Sequence, residues 1–220
     1  MDLTAEQLKW EAGTFALRIS GSPIEELYGI TDGKAIGTFV EQRFHQHLRE
    51  RYVYSPGSAA RGHDFPDLGV DVKTTSVRQP QSSSPYQSAG EKVYGLATDL
   101  LIFVYEKQDD PQAEKATLRI VHAVYVARAR TADYQTTFGI NEIIRRDGNR
   151  DDIVAFLEER NLPLDETGRQ QLADRILRDP PPQGYLTISN ALQWRLQFGR
   201  VIQVAGAAPG VEDLLAQRNG

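Results

Sequence analysis

The chain has 220 residues, 40% hydrophobic, 25% charged and 9% aromatic, which is enough apolar material for one domain with a sizeable core; two small lobes are the alternative. Cysteine is absent, which excludes a disulfide scaffold, a thiolate zinc site and a cysteine nucleophile, and fits a reducing compartment. The net charge of −5 argues against a non-specific nucleic-acid binder, yet it leaves room for a nuclease, whose acidic site and basic groove can coexist on an acidic surface.

Along the chain, Leu3, Leu8, Trp10, Phe15, Leu17 and Ile19 are spread among polar residues behind a cap-like Thr4, which predicts a first helix within residues 1–20. Ser22-Pro23 predicts a second, short one, with Ser as cap and Pro in the first turn. Thr31-Asp32-Gly33 breaks the chain. From Lys34 to Arg49, Ile36, Phe39, Val40, Phe44 and Leu48 fall at helical spacing and predict an amphipathic helix. Glu41 stands beside the Val40 row, at the edge of the buried face. It either pairs with a neighbour there or leans inward as an extra ligand or water-positioning group. His45 and His47 are two apart on that helix and cannot share a face, so they do not make a zinc pair. Tyr52-Val53-Tyr54 reads as a brief strand. The small residues of 55–62 form a loop, with Arg61, that either approaches a phosphate or simply connects.

The stretch from His63 to Thr75 reads as two strands joined by a tight turn. Pro66 presets φ for the turn, and Gly69 relieves strain where the chain leaves it. Val70-Asp71-Val72-Lys73-Thr74-Thr75 alternates with period two, so Asp71, Lys73 and Thr75 share one face. A turn centred on Asp67-Leu68 sets Asp64 across from Asp71. Two carboxylates beside an ammonium make a hard-oxygen metal site with an adjacent cation. The competing reading is an exposed strand on which Asp71 and Lys73 form a surface pair. The spacing, the turn and the preceding helix together favour the site.

Residues 78–88 are the most polar and least periodic segment. They read either as a flexible loop or, through Arg78, Gln79, Gln81, Ser82 and Ser83, as a DNA contact. A short helix is expected from Glu91 to Ala97, with Lys92 near its start. The longest apolar run, Leu100–Tyr105, has the length of a buried strand rather than a membrane span. That strand, Asp99–Tyr105, a turn over Gln108–Gln112 and a returning strand Thr117–Ala127 predict an antiparallel hairpin beside the site. Helix is predicted toward Ile144, stopped by Asp147-Gly148-Asn149, then over Asp151–Arg160 and Asp165–Arg178 as a peripheral lobe. After Pro180-Pro181-Pro182 come a short strand, Tyr185–Ile188, and a helix or extended arm carrying Trp194, Arg195, Phe198 and Arg200. Val201–Val204 is expected as a last strand, with a peripheral tail from Ala205. With no secretory leader visible and no membrane span, a cytoplasmic location is expected.

Asp64, Asp71, Lys73 and the helical Glu41 together resemble the PD-(D/E)xK nuclease superfamily. Asp64-Phe65-Pro66-Asp67-Leu68-Gly69-Val70-Asp71-Val72-Lys73-Thr74 is similar to the active-site motif of MutH, the mismatch-repair nicking endonuclease, which related type II restriction endonucleases share. The resemblance covers about residues 34–76. It implies Asp64 and Asp71 as ligands of Mg²⁺, with Mn²⁺ as a substitute, Lys73 as the catalytic lysine and Glu41 as the helical acid. Asp71 stands where the family more often has Glu. Pro66-Asp67 matches the letters of the family name, but only three residues separate Asp67 from Asp71, so Asp64 is the expected ligand.

By the same resemblance the fold is an α/β, restriction-endonuclease-like core with a mixed central sheet of about five strands flanked by helices. One domain, 1–220, has its core at about 30–130 and 184–204 and its helical lobe at about 133–180. The implied activity is that of a type II restriction endonuclease acting on double-stranded DNA as a homodimer. A MutH-like nicking repair enzyme and an inactive DNA-binding module on the same scaffold are the rivals. Arg61, Arg78, Gln79, Gln81, Ser82, Ser83, Lys92, Arg195 and Arg200 are candidate DNA contacts by position and type.

Overall fold

The structure, a computed structural model, describes residues 1–57, 63–189 and 195–216. Helix α1 (Ala5–Ser20) starts at Thr4, whose side chain accepts from the Gln7 amide while Gln7 reaches back to the Thr4 amide, a capping box. The next segment is not the expected helix but a two-residue strand, β1 (Pro23–Ile24), paired with the far end of the sheet. Helix α2 (Gly33–Arg49) begins at Asp32, whose carboxylate accepts from the Lys34 and Ala35 amides. Instead of a strand, Tyr52–Tyr54 contributes a single bridge between Val53 and Asp2.

The site strand is β2 (Val70–Ser76). It runs parallel to β4 (Asp99–Asp110), which pairs antiparallel with β5 (Lys115–Val126). The hairpin is longer than expected, because Gln108–Asp110 continue the strand and the reversal comes at residues 111–114. The open side of β5 is shared by β1 at one end and by β8 (Val211–Asp213) at the other, giving a mixed five-stranded sheet flanked by helices. That last strand corrects the expectation of a peripheral tail: Val211 and Leu214 are buried, and the Leu214 amide donates to the Ala123 carbonyl.

The two faces of this sheet are covered differently. On one, Val70 and Val72 of β2 join Leu101, Phe103 and Tyr105 of β4 beneath α1 and α2. Phe44 sits there with ring centroids 5.2 Å from Phe15, 5.3 Å from Phe103 and 6.1 Å from Phe65. Each such ring buried contributes roughly 1.5–3 kcal/mol. The core therefore begins at α1 rather than near residue 30. On the other face, Leu100, Ile102 and Val104 meet Val124 and Val126 beneath a second, smaller sheet. Burial on both faces explains why β4 reads as an unbroken apolar run.

The second sheet has the order β3-β7-β6, from β3 (Gln81–Ser83), β7 (Arg195–Gln197) and β6 (Thr187–Ile188). Its presence corrects two expectations. The polar segment after β2 is partly strand, and Val201–Val204 is the end of helix α7 (Gly199–Val204). The short helix α3 (Ala89–Tyr94) packs with α4 (Tyr134–Arg145), α5 (Arg150–Glu159) and α6 (Glu166–Arg178) around a separate apolar cluster that includes Val93, Ile140, Ile153, Leu157 and Ile176. No helix among the described residues is long and apolar enough to cross a membrane.

Candidate active site

The turn Pro66–Gly69 is closed by a reciprocal pair of backbone bonds between Phe65 and Val70 (3.0 and 3.2 Å). Gly69 has φ of +64°, where a side chain is strained, and a Cβ there would lie 3.1 Å from the Arg128 guanidinium. β2 is an edge strand, so its outward amides need partners. Asp64 supplies one, its Oδ2 accepting from the Val72 amide at 2.6 Å. This single bond sets the Asp64 carboxylate beside Asp71, although the expected first strand is only an isolated bridge from Phe65 to Val70.

Asp71 is 8% exposed, and its side chain meets Lys73 Nζ at 2.6 Å. Burial pushes the Asp71 carboxyl up to about 6. The pull of Lys73 is the wrong size to reverse that, and a shared hydrogen bond with Asp64 adds to the rise. A buried carboxyl this short of positive charge, touching a second carboxyl, is a set of hard oxygen donors that a divalent cation would satisfy. Among the described residues no group of three or more His, Asp or Glu side chains converges anywhere. Asp64 and Asp71 are the two acids here that could hold a metal ion.

The other expected residues fall into distinct places. Glu41 is on α2, which covers the opposite face of the sheet from Asp71 and Lys73. Its half-exposed carboxylate lies 4.0 Å from His45, and no hydrogen bond joins it to the trio. Asp67 is exposed in the turn, beside Leu3, Val53 and Tyr54. Thr75 shares the face of Lys73 but does not support it: its hydroxyl bonds to Gln79 and Gln81. Arg78 and Gln79 are exposed in the turn after β2, and Arg61 lies outside the described residues. Lys92 is a correction. It is fully buried in α3, where burial pushes its ammonium down and Asp133 draws it up, so it cannot touch DNA from this position. Arg200 stacks over the Tyr134 ring at 3.6 Å.

A pair that sequence reasoning missed steadies the turn from behind. The Asp99 amide donates to the Gly69 carbonyl at 2.9 Å, and the Asp99 carboxylate accepts from the Arg128 amide (2.7 Å) and guanidinium (3.0 Å) and from Tyr125. Burial would raise the Asp99 carboxyl, but these donors outweigh it and hold the group below the usual range. The available signal was an acid opening an apolar strand, with an arginine just beyond the strand that pairs with it.

The family model described as type II restriction enzyme NspV matches residues 2–213. The chain belongs to this family. It is 54% identical over 209 residues to the type II restriction enzyme NspV of a Nostoc species, which covers 95% of each of the two proteins. No solved structure matches the chain. The family match extends far past the 34–76 segment in which the motif resemblance lies, taking in both sheets and the helices α3–α6.

Proposed function

We propose that this member of the NspV family is a Mg²⁺-dependent, sequence-specific endonuclease of double-stranded DNA, with a PD-(D/E)xK, MutH-like site formed by Asp64, Asp71 and Lys73. The observation that carries the proposal is the cluster itself. Two carboxyls share a hydrogen bond at the open edge of a sheet, with a lysine 2.6 Å from the buried one. Asp64 and Asp71 would hold the metal, with Mn²⁺ as a substitute. Bound there, it supplies positive charge against the scissile phosphate and acidifies a water.

The chain's own groups do the rest. The Lys73 ammonium, on the same strand face as Asp71, donates to the attacking water and orients it, and its charge stabilises the phosphorane oxygens. The attack breaks the P–O3′ bond and leaves 5′-phosphate and 3′-hydroxyl ends. Glu41, on the helix that covers the other face of the sheet, stands apart from this trio. Each chain carries one such site and a duplex has two strands, so a homodimer is the natural working unit, acting in the cytoplasm.

Digestion of a long duplex with Mg²⁺ tests this. A discrete fragment ladder from the wild type, reduced on the order of 10³-fold in Lys73→Ala, supports it. No cleavage with either metal overturns it, and a nicked circle that never becomes linear replaces it with the MutH-like reading.

A further inference from the structure

The smaller sheet is amphipathic in a way its sequence conceals. In its middle row Ser82 pairs with Leu196, which pairs with Ile188. Leu196 and Ile188 are buried against Leu100, Ile102 and Val104 of the main sheet. Strand alternation turns the neighbouring rows the other way. Gln81, Gln197 and Thr187 form one row across the three strands, and Ser83 lies opposite Arg195 in the next. Ser83, Arg195 and Gln197 are exposed, and Gln81 and Thr187 are half-buried. This outer face carries amides, hydroxyls and one guanidinium, with no carboxylate. Apart from the cross-strand pairing itself, none of these side chains is engaged with a protein partner among the described residues.

The face is also fastened to the chemistry. Thr75, four residues after Asp71 on the same side of β2, is buried. Its hydroxyl accepts from the Gln81 amide at 3.0 Å and donates toward the carbonyls of Gln81 (3.0 Å) and Gln79 (3.3 Å). One side chain thus joins the strand that bears Asp71 and Lys73 to the first residue of the polar row.

We infer that Gln81, Gln197, Ser83 and Arg195, on the outer face of the β3-β7 pair, read base edges in the major groove, and that Thr75 is the positioning residue fixing their register to the cleavage site. The major groove admits paired β-strands, and β6 adds only two residues beside the three-residue β3 and β7. Glutamine pairs with adenine through two hydrogen bonds and arginine with guanine through two, so this set can read mixed sequence. Arrangement also separates readers from bystanders: Ser82 faces inward, and Lys92 is buried. The inference rests on the proposed DNA cleavage.

Cut sites are mapped by sequencing fragment ends from a long duplex, for wild type, Gln81→Ala/Gln197→Ala, Arg195→Ala, Thr75→Val and Thr75→Ser. The wild-type ladder gives the preferred site. The ratio of cleavage there to cleavage at sites differing by one base pair is expected to fall roughly 5- to 100-fold in the outer-face variants. A fall is expected for Thr75→Val too, with recovery in Thr75→Ser. An unchanged ratio overturns the assignment, as does an equal loss of affinity for the preferred site and an unrelated duplex in Ca²⁺, which would mark phosphate contacts only. No ladder from the wild type removes the cleavage reading, and this inference with it.

Discussion

Glu11 and Asp71 are both buried carboxylates, and the chain surrounds them in opposite ways. Glu11, in α1, receives His47 Nε2 at 2.7 Å and the Arg51 guanidinium and Tyr52 hydroxyl at 3.1 Å each. Burial alone would raise its carboxyl, but the hydrogen bonds from His47, Tyr52 and Arg51 outweigh it and hold the group below its ordinary range. Asp71 has one cation, Lys73, and a second acid, Asp64, against it, and it is pushed up to about 6. Glu11 is satisfied by the protein and ties α1 to α2. Asp71 has a single ion pair, with burial and a second acid working against its charge. Burial of an acid is therefore a poor marker of function until its partners are counted.

Removing each acid should expose that difference. Glu11→Ala leaves the buried His47 and the half-buried Tyr52 without their partner and frees the exposed Arg51, and is expected to cost about 3 kcal/mol of folding stability, read by urea denaturation. Asp71→Asn should do the reverse in the absence of divalent cations. The folded carboxyl holds its proton to about 6, whereas the unfolded one loses it near 3.8. The group's contribution is therefore full below about pH 4 and is lost as pH rises through 6. At pH 8 the asparagine variant should be more stable than wild type by about 3 kcal/mol, and the gap should close toward pH 4. Equal stability of the two at pH 8 would place Asp71 with Glu11 as a satisfied acid.

A smaller effect probes the turn. Gly69→Ala puts a side chain at positive φ against Arg128, with an expected loss of about 1 kcal/mol. Because that turn sets Asp64 beside Asp71, single-turnover cleavage at saturating Mg²⁺ should fall further than the stability loss explains, by about 10-fold. A rate unchanged from wild type would show that the turn does not govern the pair.

Period and punctuation made much of this legible in the sequence. The apolar rows of α2, the run that became β4, and the spans of α5 and α6 follow from local chemistry, and so does the placing of Asp64 beside Asp71 across the turn. What escaped depends on partners far along the chain. β3 is polar throughout and carries no apolar alternation, and it exists because it pairs with β7, more than a hundred positions away. β8 sits in a Gly/Ala/Pro-rich tail whose pattern is too short to register, and β1 has only two residues. Lys92 looked like a surface cation because nothing nearby in sequence signals the Asp133 that compensates its burial. The Asp99–Arg128 brace was hidden the same way, its halves belonging to two strands.

The most direct test is single-turnover cleavage of the preferred site in Mg²⁺ by Asp71→Asn and Glu11→Gln, compared at equal concentrations of folded protein. The account predicts a loss on the order of 10³-fold for Asp71→Asn and a rate within about 10-fold of wild type for Glu11→Gln. Near-wild-type cleavage by Asp71→Asn would contradict it.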